Sequence, residues 1–498
     1  MSELLAAMAR HAQTRPDALA IDAAPLMLSY RQLSAAIDAL AAQLREQRCQ
    51  RVALLSDNSA AWAVAELAIS AAGLVSVPLP PFFSQQQIAH ALRSAGIDAL
   101  LLDPALVLPP PLASLPSLTL SAADAGTLRL LRLPFAATSL HEGTRKITYT
   151  SGTTGEPKGV CLGTAEQERV AAVLIEASAA AADSRHLCVL PLSTLLENIG
   201  GLYAPLLAWA TACIRPLADV GLGGASQLDV SKLIAAIHAS AATSVILVPQ
   251  MLLALVAAIE AGAPRPTTLR FIAVGGASVS PRLLERAHRL GLPVFEGYGL
   301  SECSSVVALN RPGAECADTV GKPLPHVQIL IAADGEICVT GNLFRGYVGE
   351  PAPDRTVALR TGDIGRLDAD GFLQITGRKK NIFVTSFGRN VSPDWVEREL
   401  CLQAPIAQAA LFGEAAPFNV AVIVARGDAS DAAIDGAIAA VNAELPDYAR
   451  VRRWLRASAP FTTSNDQGTA NGRLRRAVIR AAYGDAIDAC YGNAAVPA

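Results

Sequence analysis

Aromatic residues are scarce in this chain of 498 residues: phenylalanine, tryptophan and tyrosine together make up 5%. Charged residues are also few, at 17%, against 51% hydrophobic ones. That balance excludes an intrinsically disordered chain, because enough apolar surface is present to offset chain entropy. No basic tract suggests nucleic acid or an anionic membrane surface, and the net charge is −3. The nine cysteines include no C-x-x-C pair. An odd, scattered set argues against a disulfide framework and reads as reduced thiols in the cytoplasm. The first residues, Met1-Ser2-Glu3-Leu4, carry acid where a signal peptide carries base. No apolar run is long and unbroken enough for a membrane span, and no repeat period is visible.

What the chain has is length and alternation. Its length calls for two or three domains. Apolar residues Leu33, Ile37, Leu40 and Leu44 recur at helical spacing, predicting a helix over 30–45. Strands are expected over 51–56, 75–79 and 99–102, with helices over 60–73 and 84–95 between them. A proline-rich stretch, 104–116, reads as an internal loop. The alternation resumes with strands over 187–190, 244–248, 269–274 and 293–295 and helices over 199–209, 230–240, 250–261 and 281–290. Strand–helix alternation predicts a doubly wound α/β body with ligands at the C-terminal strand ends. After Gly341, short strands between Gly- and Asp-rich turns predict a β-rich subdomain. The junction falls at Gly377-Arg378-Lys379-Lys380-Asn381. Residues 1–379 thus form a large N-terminal domain, and 380–498 a small α+β C-terminal one.

The string Tyr149-Thr150-Ser151-Gly152-Thr153-Thr154-Gly155-Glu156-Pro157-Lys158-Gly159-Val160 carries the first chemistry. Glycines let backbone N–H groups turn toward one point and make an anion nest. The hydroxyls add donors, and Lys158 adds a mobile positive charge. The string therefore reads as a polyphosphate clamp. It is not a Walker loop, since Gly159 follows Lys158 and the glycine spacing differs.

Three further strings follow in order: Glu296-Gly297-Tyr298-Gly299-Leu300-Ser301-Glu302, Thr361-Gly362-Asp363 and Gly377-Arg378-Lys379-Lys380. Together with the clamp they resemble the adenylate-forming superfamily, which includes acyl-CoA synthetases, amino-acid adenylation domains and luciferases. The resemblance runs from about residue 30 to 476 and is nearest to bacterial fatty acyl-CoA synthetases. It implies an enzyme that uses ATP and Mg²⁺ to turn a carboxylic acid into an acyl-adenylate, then passes the acyl group to a thiol. The chemistry needs charge neutralisation and in-line positioning, not a serine nucleophile.

By that resemblance, Thr150, Ser151, Gly152, Thr153, Thr154, Gly155 and Lys158 would hold phosphates. Glu302 would hold Mg²⁺, Ser301 would contact the α-phosphate, and Gly299 would belong to the nucleotide site. Tyr298 would stack on adenine beside Gly275, Gly276 and Ala277. Asp363 would accept from the ribose, and Arg378 would add a ribose or phosphate contact. Lys380 stands at the hinge about which a mobile small domain would turn. Gly388 would then approach the pantetheine entrance. Near the C-terminus, Arg473 replaces the lysine usual in the family. Three readings stay open there: arginine substitutes for it, Lys379 or Lys380 contributes, or adenylation is weak and the chain chiefly binds adenylates.

The segment Ser193-Thr194-Leu195-Leu196-Glu197-Asn198 lacks the aspartate that amino-acid adenylation domains use for the substrate ammonium. Gly200, Gly201 and Ala204, with nearby leucines, predict an apolar slot for a medium- or long-chain fatty acid. The acceptor is CoA or the phosphopantetheine of an acyl carrier protein. No nucleic acid partner is expected.

Overall fold

A computed structural model describes residues 2–106, 110–150, 157–223, 227–469 and 472–492. The mixed α/β fold expected from the sequence is present; among the described residues it has sheets of nine and eight strands, sheets of four and three, and two two-stranded ribbons. In the eight-stranded sheet, Arg51–Leu55 pairs in parallel with Val75–Pro78 and Ala99–Leu102. Lys146–Thr150 extends the sheet beside Val75–Pro78. Lys158–Leu162 then runs back antiparallel, with Thr150 opposite Lys158. The clamp string therefore joins two adjacent strands. Its residues Ser151, Gly152, Thr153, Thr154 and Gly155 lie outside the described residues.

The nine-stranded sheet has a parallel centre. Its order there is Val294–Leu300, Phe271–Val274, Ser244–Leu247, Arg185–Cys188, Thr211–Ile214 and Leu19–Ala23. Antiparallel strands close both edges: Leu26–Ser29 on one side, Ser305–Leu309 and Lys322–Pro323 on the other. Val245, Leu247, Ile272 and Val274 pack under helices Val230–Ala239, Pro249–Glu260 and Pro281–Arg289. Asp229 caps the first of these by accepting from the N–H groups of Ser231 and Lys232. Helices Tyr30–Glu46 and Ala60–Ala71 belong to the core on the opposite side. Ala60–Ala71 is apolar almost all round, as a helix buried on every side must be. Its one acid, Glu66, meets Lys146 at 2.6 Å and accepts from Ser76 and Tyr203.

One expected helix differs. Residues 199–209 form a π-helical segment, Asn198–Tyr203, followed by a short helix, Ala204–Leu207. Pro205 has no N–H to give the Gly201 carbonyl, so the regular ladder fails there. That carbonyl instead accepts from the Cys188 thiol at 3.4 Å. The proline-rich stretch also holds more than a loop, since a short helix, Pro110–Ala113, lies within it. Glu3–Thr14 and Arg476–Gly492 are helices absent from the sequence reading.

Val327–Ile331, Glu336–Gly341, Leu359–Leu367 and Leu373–Arg378 form the four-stranded antiparallel subdomain. Its register sets Asp363 opposite Arg378. Beyond it, Ile406–Phe412, Asn419–Ala425 and Val451–Arg456 form a three-stranded sheet with its own cores against Pro393–Cys401, Asp431–Asn442 and Arg476–Gly492. Among the described residues, no helix is long and apolar enough to cross a membrane.

Candidate active site

One continuous cavity of about 2770 Å³ opens between the C-terminal ends of the parallel strands and the small C-terminal unit. The strand Val294–Leu300 forms one wall and carries Tyr298. The next residue must be glycine, because a Cβ at Gly299 would collide with the Ser305 carbonyl. Gly276 has φ +82°, a left-handed conformation that favours glycine. With Gly275 and Ala277 it lines the cavity after the strand Phe271–Val274.

Asp363 is the hub of a small network. Its Oδ2 accepts from the Tyr298 hydroxyl at 2.7 Å, and its Oδ1 meets Arg378 Nε at 2.9 Å. Burial, and the Asp363 charge after it, push the Tyr298 phenol above its usual range, so it stays a neutral donor. Arg378 comes from the register described above, Tyr298 from the strand Val294–Leu300 of the nine-stranded sheet, and both reach the cavity.

Glu302 sits in the turn Ser301–Cys303. Its Oε1 accepts from the Tyr347 hydroxyl at 2.7 Å. Lys158 Nζ lies 4.8 Å from the centre of the Tyr347 ring and 2.8 Å from Glu350. Thr150, Lys158, Ser301, Glu302 and Tyr347 all line the cavity. Tyr347 and Glu350 went unnoticed in the sequence. The signal available was Gly346-Tyr347, which pairs with Val160 and Cys161 beside Lys158.

Arg473 enters from the C-terminal unit. Its Nη2 donates to the Gly276 carbonyl at 3.2 Å, and its N–H donates to Thr469 at 3.0 Å. The side chain is wetted by the cleft but enclosed by its walls. That enclosure and Arg378 lower its pKa, while Asp363, Asp394 and Glu302 oppose the shift. Lys379 is held elsewhere, at 2.8 Å from Asp334 and 3.0 Å from Glu336. Lys380 is exposed and borders the cavity. Gly388 is not among the residues lining it. It lies at an exposed turn with φ +73°, next to Phe387, which is 72% exposed.

The acid-side residues divide. Thr194 and Gly200 line the cavity. Gly201 does not make a slot: a Cβ there would strike the Glu197 carboxylate and come within 3.1 Å of the His186 ring. Glu197 is fully buried and accepts from the Leu190 N–H at 3.1 Å.

Residues 8–348 match the AMP-binding enzyme family, and residues 380–495 match the AMP-binding enzyme C-terminal domain. The chain belongs to the AMP-binding enzymes of the adenylate-forming superfamily. As such it is an acid–thiol ligase of the AMP-forming type. A long-chain-fatty-acid–CoA ligase of Mycobacterium bovis, FadD15, is 28% identical over 90% of this chain and 89% of its own. The fold is similar to an anthranilate–CoA ligase, AuaEII, solved with anthranoyl-AMP: TM-score 0.79, 20% identity, 96% of each chain covered. It is also similar to o-succinylbenzoate–CoA synthetase of Bacillus subtilis, solved with ATP and magnesium ion: TM-score 0.75, 23% identity, 95% of this chain and 98% of that one.

Proposed function

We propose that this AMP-binding enzyme activates a medium- or long-chain fatty acid and transfers it to CoA. The observation that carries the activation step is the convergence of Arg473, Arg378 and Lys158 with Glu302 and Asp363 on one cavity. Three cations there can face a triphosphate and a carboxylate that must approach each other against like charge. Arg473 sits beside Gly276, where a base, an α-phosphate and an acid can meet. Arginine is always charged and offers two donors side by side, so it can bridge a carboxylate and a phosphate oxygen. This supports Arg473 as the working substitute for lysine, and the bonds that hold Lys379 to Asp334 and Glu336 argue against Lys379.

The chain's residues divide the work. Tyr298 and Asp363 present a flat ring and a ribose acceptor. Ser301 and the residues 150–158 follow the phosphates. Mg²⁺ fits at Glu302: one carboxylate oxygen is held by Tyr347, and the other has no hydrogen bond among the described residues. A hard cation that takes one or two carboxylates plus phosphate oxygens suits that site. When bound, the ion neutralises phosphate charge. The substrate carboxylate attacks the α-phosphorus, pyrophosphate leaves, and a thiol then displaces AMP from the acyl carbon. For that second step the domain 380–498 turns about Lys380 and exchanges Arg473 for the Gly388 turn.

A fatty acid is favoured by the walls beyond Gly275. Leu174, Gly200, Ala204, Ile246 and Ala273 line an apolar extension of the cavity. Each buried methylene contributes about 0.8 kcal/mol. Pyrophosphate release across acids from acetate and benzoate to C16, with and without CoA, tests the reading. Turnover with C8–C16 acids that requires CoA supports it. A single burst without CoA-dependent turnover assigns the acyl group to a carrier protein. Preference for benzoate or another aryl acid contradicts the fatty-acid reading.

A further inference from the structure

The apolar extension has one polar row. In the parallel sheet His186 is in register with Ser244, and Ser244 with Phe271. Registered residues of parallel strands share a face, so all three stand in one row across the sheet. All three line the cavity. His186 Nδ1 lies 3.0 Å from Ser244 Oγ, and its Nε2 lies 3.0 Å from Glu197 Oε1. Glu197 is in turn fixed by the Leu190 N–H and by the absence of a side chain at Gly201. The imidazole is therefore clamped at both nitrogens, which also argues against a metal site at His186, Cys188 and Glu197. The Cys188 thiol is engaged with the Gly201 carbonyl, and burial raises its pKa further.

We propose that Ser244 is a specificity residue: held by His186 and Glu197, it receives an oxygen substituent, a hydroxyl or oxo group, carried partway along the acyl chain. The proposal rests on the fatty-acid reading above. Ser244 is half-buried, and among the described residues His186 is its hydrogen-bond partner. Two other serines of that wall bond to backbone and not to a buried side-chain relay. Ser178 donates to the Leu174 carbonyl at 2.7 Å, and Ser184 accepts from the Ala181 N–H at 3.0 Å. The relay can also run either way. With Nε2–H on Glu197, Ser244 donates to Nδ1 and its lone pairs accept a ligand hydroxyl. With Nδ1–H donating to Ser244, the serine proton is free for a ligand carbonyl. Burial raises the Glu197 pKa, which brings the second arrangement within reach.

The backbone sets the depth. Phe271, level with Ser244, is four residues before Gly275, and strands rise ~3.3 Å per residue, giving about 13 Å. A methylene zigzag of ~1.5 Å bonds advances about 1.3 Å per carbon. The oxygen therefore falls near carbon ten or eleven of an acid whose carboxylate lies level with Gly275.

The test compares kcat/KM for pyrophosphate release with hexadecanoate and with its 3-, 10- and 16-hydroxy derivatives. The wild-type enzyme should favour the 10-hydroxy acid about tenfold, through KM, with no such gain for the 3- and 16-hydroxy acids. Ser244→Ala should bring that ratio close to one, and Ser244→Thr, which keeps the hydroxyl, should retain it. A ratio between two acids on one sample does not depend on how much enzyme is folded. Turnover of hexadecanoate with no positional preference, or an unchanged ratio in Ser244→Ala, overturns this proposal alone. No turnover with any of the four acids overturns this proposal, and failure of the C8–C14 acids as well overturns the fatty-acid reading with it.

Discussion

Glu296→Gln probes the cavity wall through its protonation. Glu296 is 7% exposed and accepts from the Val279 N–H at 3.1 Å. Burial raises its pKa to about 7, with Asp318 adding to the rise and the Val279 N–H and Arg398 opposing it. The unfolded chain releases this proton near the ordinary value of 4.5. Between those two values the folded state binds more protons than the unfolded one, so stability falls as pH rises. The contribution is whole below about pH 4.5 and lost through about pH 7. The gap is worth about 3 kcal/mol. Glutamine is neutral at every pH and keeps a carbonyl for Val279. The variant should match the wild type at pH 4.5 and exceed it by up to about 3 kcal/mol at pH 8. Urea unfolding of both proteins at pH 4.5, 6 and 8 measures this. A difference that does not change with pH, or a variant less stable at pH 8, refutes the assignment of a protonated Glu296.

Glu302→Ala should abolish Mg²⁺-dependent pyrophosphate release, losing at least about a hundredfold in kcat at ordinary magnesium; normal activity there contradicts the metal site. Lys380→Pro should spare adenylate formation and block thioester formation, read as adenylate build-up on quenching; survival of both half-reactions removes the hinge. Arg473→Lys should lower the adenylation rate modestly, since the fork that reaches Gly276 is lost; a many-fold gain would mean that arginine weakens this step.

Much of the framework was legible because local chemistry and tertiary role agree in it. The helix Tyr30–Glu46 shows its period plainly, the strand Ala99–Leu102 is a short apolar run between helices, and motifs such as 296–302 require particular glycines. The segment 199–209 reads as one helix from its apolar residues alone, although Pro205 falls in its interior. Its effect appears only when the Gly201 carbonyl finds the Cys188 thiol on another strand. Gly201 itself looked like space for a ligand, whereas Glu197 and His186 fill it. Tyr347 was invisible because its role depends on a strand pairing with residues 160–161, almost two hundred positions earlier. Arg473 was visible as a departure, but its contact with Gly276 depends on how the C-terminal unit sits against the cleft.

The central claim is that the substrate carboxylate itself attacks the α-phosphorus. Supplying hexadecanoate labelled with ¹⁸O in both carboxylate oxygens, with ATP, Mg²⁺ and CoA, tests it directly by mass spectrometry of the nucleotide. The account predicts one ¹⁸O in each AMP formed and none in pyrophosphate. Label in inorganic phosphate with ADP as product, or unlabelled AMP, would contradict it.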